Sequence, residues 1–155
     1  MSLADVGGTR EDLLGTAISS VGNSQGTPFR IPADRYRSEA FAEREHEHVW
    51  QKAWIVACSI DHVAAPGDLY EVRIGRYSVL VVRGRDGELR AFQNACKHRG
   101  IALCSGSAQG LKHLRCPYHG WMYSNDGTPR GVADQEKFGD FDKQTNGLTQ
   151  LPVYE

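Results

Sequence analysis

The residues of this chain best able to do chemistry are two short pairs, Cys96-Lys97-His98 and Cys116-Pro117-Tyr118-His119. Each joins a soft thiolate donor to a borderline imidazole, and that mixture points to a metal. Neither pair closes a site alone, so residues 99–115 must fold to let two loops converge. Zinc accepts two Cys and two His, but zinc fingers usually carry a Cys pair and then a His pair near the end of a helix. Here every pair is mixed. Gly100 and Gly120 follow the histidines, where a tight loop needs positive φ and a close approach of backbone N–H groups. Pro117 stiffens the second loop. Such loops suit bridging sulfides, which accept backbone hydrogen bonds that adjust a cluster's potential. On the residues alone, an iron–sulfur cluster and a structural zinc both stand.

Two loops of this kind need neighbouring hairpins to carry them. Trp54 to Ser59, Leu69 to Ile74, Tyr77 to Arg83 and Glu88 to Gln93 are short runs rich in Val, Ile, Tyr and Leu, which predicts strands. Pro66-Gly67-Asp68, Gly75-Arg76 and Gly84-Arg85-Asp86-Gly87 separate them as turns, so neighbours pair antiparallel. Leu111 to Arg115 and Trp121 to Tyr123 flank the second metal pair, and Ser124-Asn125-Asp126-Gly127 turns the chain back. Upstream, Ser38 is placed to cap one modestly amphipathic helix running to Trp50. Residues 1–31 read as a flexible polar leader and 32–155 as one domain. Beyond Thr128 the chain is turn-rich until Leu148 to Tyr154 resumes a strand-like pattern.

Composition excludes several classes. Lys plus Arg number 18 against 19 Asp plus Glu, so no basic surplus advertises nucleic acid or an anionic membrane. No apolar run reaches the length of a membrane span. The first residues lack a secretory pattern, which gives a cytoplasmic expectation. Four Cys in 155 residues are too sparse for a disulfide scaffold. Cys58 is expected as a buried strand thiol and Cys104 as packing beneath the first loop. His46 and His48 are expected as solvated side chains on a charged helix, and His62 and His113 as single histidines without a metal.

With its flanks, Cys-Lys-His-Arg-Gly followed by Cys-Pro-Tyr-His-Gly-Trp resembles the Rieske motif, in the form found in the large subunits of Rieske non-haem iron, ring-hydroxylating oxygenases. The likeness extends through Trp54, Pro66-Gly67-Asp68, Val81-Val82-Arg83, Asn94-Ala95 and Trp121-Met122-Tyr123. It implies a mainly β fold of stacked antiparallel sheets with the cluster loops at hairpin tips, preceded by one helix. It also implies a [2Fe–2S] cluster with Cys96 and Cys116 on one iron and His98 and His119 on the other. Arg99, Gly100, Gly120, Trp121 and Tyr123 would surround it, with Trp121 either packed under the hairpin or, as the resemblance favours, near the surface where the Rieske and catalytic domains meet. Two thiolates, two sulfides, two ferric ions and neutral imidazoles make the oxidised cluster formally neutral, and one electron makes it singly negative.

High-potential Rieske proteins add a Cys in each loop and a Ser near the cluster. Ile101, Tyr118 and Trp121 stand at those positions, so a potential low in the Rieske range is implied. The implied partners are a reductase or ferredoxin donor and an oxygenase catalytic domain, in intact oxygenases usually that of a neighbouring subunit. That mononuclear-iron domain is expected to be absent here, because no histidine follows His119 to build its facial triad. The chain alone would then carry electrons to an enzyme acting on small organic, often aromatic, substrates. A free-standing Rieske ferredoxin and a zinc-binding interaction module are the alternatives.

Overall fold

The computed structural model describes residues 32–143 and 145–155, so the expected leader lies outside the described residues. Contacts divide the chain into two units, one ending at Ala42 and one running from Glu43 to Glu155. In the first, a 3-10 turn at Ala33–Tyr36 precedes Ser38, whose Oγ accepts the Phe41 N–H at 3.2 Å, the cap the sequence predicts. Helix α1 is Glu39–Glu45, and the chain then widens into a π-helical turn, His46–Trp50. The helical stretch ends at Trp50 as expected, but its last turn is not α.

The second unit holds two antiparallel sheets. Strands β1 (Leu69–Ile74), β2 (Tyr77–Arg83), β3 (Leu89–Gln93), β4 (Ser107–Ala108) and β8 (Gln150–Leu151) form one, in the order β4-β1-β2-β3-β8. Strands β5 (Leu114–Arg115), β6 (Met122–Tyr123) and β7 (Pro129–Gly131) form the other, in sequence order. The β1–β2 register, Ile74 opposite Tyr77 and Leu69 opposite Val82, follows from the Gly75-Arg76 turn. Burial along β2 is continuous from Leu80 to Arg83 rather than alternating. Both of its faces are covered, one of them helped by the 3-10 turn Ile60–Val63, which packs on β1 and β2.

The core is shared between the sheets. Leu69, Leu80, Val82 and Phe92 come from the larger, Leu114 and Tyr123 from the smaller, and Cys96, Cys116 and Trp121 from the loops. The two proposed thiol ligands are thus part of the hydrophobic core, which fixes the bases of both loops.

Several expectations need correction. Trp54 to Ser59 forms no strand, and Trp54 and Val56 are largely exposed. Its β-rich composition supplies propensity without a neighbouring edge, and a strand needs both. Cys58, on that run, is half-buried rather than buried. His46 is not solvated: it is buried and stacks on Tyr77 at 4.8 Å.

Candidate metal centre

The two loops that carry the Cys and His pairs close by the same backbone bonds. In the first, Cys96 N–H donates to Ile101 O and Gly100 N–H to Cys96 O, both at 2.8 Å. In the second, Cys116 N–H donates to Trp121 O at 2.8 Å and Gly120 N–H to Cys116 O at 3.1 Å. Each frame thus has Cys at its start and Gly at the fifth position, with φ of 69° at Gly100 and 71° at Gly120. A side chain in that left-handed region costs about 1–2 kcal/mol, which explains glycine at both. The second frame is the tip of the β5–β6 hairpin, where Arg115 pairs with Met122. The first is joined to β3 through Asn94, whose side chain bonds four ways. Its Nδ2 donates to Ser78 Oγ and Cys104 O, and its Oδ1 accepts from the N–H groups of Leu103 and Cys104.

The frames bring all four expected donors to one end of the unit. The imidazoles of His98 and His119 lie with centroids 4.6 Å apart. Nδ1 of each is buried with no hydrogen-bond partner. Such an orphan costs about 1–3 kcal/mol unless a ligand or ion takes the lone pair. Cys96 and Cys116 are buried free thiols. Burial pushes the Cys96 thiol up, with the Tyr123 hydrogen bond working against it. Burial, followed by the charges of His119 and Arg99, holds His98 below the usual imidazole range, the neutral form a ligand requires. The donor set therefore fits a [2Fe–2S] group with two thiolates and two imidazoles. Among the described residues no three His, Cys, Asp or Glu side chains gather as a single ion would need.

Tyr123 is fully buried and its hydroxyl receives the Lys97 N–H at 3.1 Å. The same oxygen lies 3.3 Å from Cys96 Sγ. Burial, then Cys96 itself, raises the phenol well above its ordinary range, so it stays protonated and donates whenever Cys96 is a thiolate. Of the two readings of Trp121, the structure shows the packed one rather than the favoured surface one. It is buried, stacked on His98 at 5.2 Å and 6°, because the hairpin tip turns it into the core. Arg99 is exposed, and Arg115 borders the cleft formed with residues 116–120. Cys104 packs against the core, as expected.

Phe138 was not predicted as part of the site. It meets His98 edge-on at 5.6 Å, and only tertiary structure places it there. Its one sequence signal is a pair of aromatics, Phe138 and Phe141, in a polar stretch.

Residues 53–154 match the Rieske [2Fe-2S] domain, and the chain belongs to that family. Its cofactor is a Rieske-type [2Fe–2S] cluster, and its chemistry is electron transfer through that cluster. The chain is 33% identical over 137 residues to the glycine betaine monooxygenase oxygenase subunit of Pseudomonas aeruginosa, covering 88% of this chain and 32% of that protein. It is 37% identical over 123 residues to the anthranilate 1,2-dioxygenase large subunit of Acinetobacter baylyi, covering 79% and 26%. Among solved structures it resembles a quaternary ammonium Rieske monooxygenase, with TM-score 0.75, 34% identity and coverage of 81% and 37%. The chain spans about a quarter to a third of the length of the curated relatives it matches.

Proposed function

We propose that Cys96, Cys116, His98 and His119 ligate the cluster, and that the chain is the electron-delivering part of an oxygenase large subunit. The observation that carries the ligand reading is the pair of buried, unpartnered Nδ1 atoms beside two buried free thiols. When bound, the cluster accepts one electron from a donor and passes it on. The chain's own residues prepare for this. The frames hold the four donors in place, Tyr123 aims a donor at Cys96 Sγ, and Trp121 orients His98.

Around the histidines Ile101, Tyr118 and Phe138 leave 42%, 57% and 41% of their surface exposed, an apolar patch next to the cations Arg99 and Arg115. This surface supports docking of both a reductase or ferredoxin donor and a catalytic domain holding mononuclear iron. The domain of a neighbouring subunit is favoured by one solved relative, a quaternary ammonium monooxygenase described as showing inter-subunit electron transfer. The substrate reading rests on relatives alone: a small organic molecule, quaternary ammonium or aromatic in kind. Among the described residues no helix is long and apolar enough to cross a membrane.

Anaerobic purification tests the ligand reading. We expect brown protein with iron and labile sulfide, and the paramagnetic resonance of a reduced Rieske centre, abolished in His98→Ala and His119→Ala. A colourless zinc protein, or a signal unchanged in both variants, rejects it.

A further inference from the structure

The two histidines are held differently. Tyr118, itself largely exposed, lies against His119 with centroids 3.8 Å apart. His98 is boxed: Trp121 lies parallel to it, and Phe138 meets it edge-on at 88°. Phe138 also meets Trp121 edge-on at 5.4 Å, so one ring pins both partners of the stack. Phe141 adds a further edge contact to Trp121 at 5.4 Å and reaches Phe138 at 6.5 Å.

Phe138 ends a 3-10 turn, Gln135–Phe138, on a strap far from both cluster loops in sequence. The strap begins at Asp134, whose φ of 54° makes it the only non-glycine with positive φ among the described residues. That conformation is unfavourable for a residue with a Cβ and persists where its surroundings enforce it. Lys137 does so twice, its N–H donating to Asp134 O at 2.9 Å and its Nζ pairing with Asp134 Oδ2 at 2.8 Å. A strained, doubly tied turn thus presents an aromatic ring that remains 41% exposed.

We infer that Phe138 is a positioning residue, which clamps His98 against Trp121 and limits water at that imidazole, so that the strap tunes the cluster alongside the loops. The inference rests on His98 being a ligand. Water reaching the cluster favours its more highly charged, reduced form.

The test compares the cluster-loaded chain with its Phe138→Ala, Phe138→Tyr and Phe141→Ala variants by redox titration, resonance of the reduced cluster and rate of cluster loss in air. For Phe138→Ala we expect a raised midpoint potential, a broadened resonance and loss about tenfold faster, the scale of two aromatic edge contacts. Phe138→Tyr should restore the unsubstituted values, and Phe141→Ala should move the potential less. Phe138→Ala with unchanged potential and resonance overturns the inference, as does an equal shift in Phe141→Ala, which would mark general packing. Should Phe138→Ala fail to fold, Phe138→Leu keeps bulk without the ring, and unchanged spectra there overturn it equally. If the unsubstituted chain shows no Rieske resonance, the ligand assignment itself falls, whereas a normal resonance with indifferent variants removes only the strap's role.

Discussion

At the scale of single residues, Tyr123 and Gly100 make the sharpest predictions. The Tyr123 hydroxyl is the side-chain donor facing Cys96 Sγ, and a hydrogen bond to sulfur favours the reduced state. Tyr123→Phe should lower the midpoint potential by about 40 mV, the one-electron equivalent of about 1 kcal/mol, with the cluster still assembled. Potentiometry decides it, and no change would show that the hydroxyl serves Lys97 N–H alone. Gly100 has open space where a Cβ would stand, so Gly100→Ala isolates the backbone term. It should cost about 1 kcal/mol in thermal or denaturant unfolding, while Gly100→Asn, which tolerates the left-handed region better, costs less. The loops that hold the four proposed donors were legible because Cys and His at two fixed spacings, with Gly after each, have few other uses. Trp121 was legible as a residue near the cluster, but its sequence left packing and surface exposure both open, since burial depends on which way the hairpin tip turns.

At the scale of elements, a chain of exposed to part-buried polar contacts ties the first loop to the larger sheet. Gly106 N–H donates to Glu71 Oε2 at 2.8 Å, Ser78 Oγ to Glu71 Oε1 at 2.7 Å, and Asn94 Nδ2 to Ser78 Oγ at 2.9 Å. Asn94→Ala would orphan several groups at once and should cost about 2–4 kcal/mol, read by unfolding and by weaker cluster retention. The Ser78 and Gly106 hydrogen bonds hold the Glu71 carboxyl below the usual carboxylate range. Its stabilisation is complete above the unfolded carboxyl value, near 4.3, and fades as pH falls through the lower folded one. Protection of the Gly106 amide, its exchange relative to the intrinsic rate at each pH, should therefore fall below about pH 4, and Glu71→Gln should abolish that fall. Unaltered protection across that range would argue that the turn is held by other bonds.

Strands β1 and β2 matched their predicted bounds because hydrophobic runs and the Gly75-Arg76 turn agree. Strands β4 and β7 were missed: Ser107–Ala108 and Pro129–Gly131 have no strand-forming composition, and they pair because edges lie beside them. The π-helical turn at His46–Trp50 was equally invisible, since its pattern is that of an ordinary helix.

At the scale of the whole molecule, a formal charge of -1 hides an uneven distribution. Residues 89–125 contain Arg90, Lys97, Arg99, Lys112 and Arg115 and no Asp or Glu. Arg90 is neutralised by Asp86, at 2.7 Å, but the others in this stretch that flank the cluster loops form no ion pair shown by the structure. Such a face draws an acidic partner by long-range attraction, which salt screens. Reduction of the cluster by an acidic carrier protein should slow markedly between low and physiological ionic strength, and Arg99→Gln with Arg115→Gln should flatten that dependence in stopped-flow traces. A rate indifferent to salt would assign recognition to the apolar patch.

The shared closure of the two loops has a further consequence. Histidine stands two residues after Cys96 but three after Cys116, while the peptide scaffold around each cysteine is the same. Donor placement and scaffold geometry are thereby uncoupled: one six-residue clasp accepts its imidazole at either of two rungs. A designer could relocate or exchange the nitrogen donor on such a clasp without rebuilding the peptide that supports it.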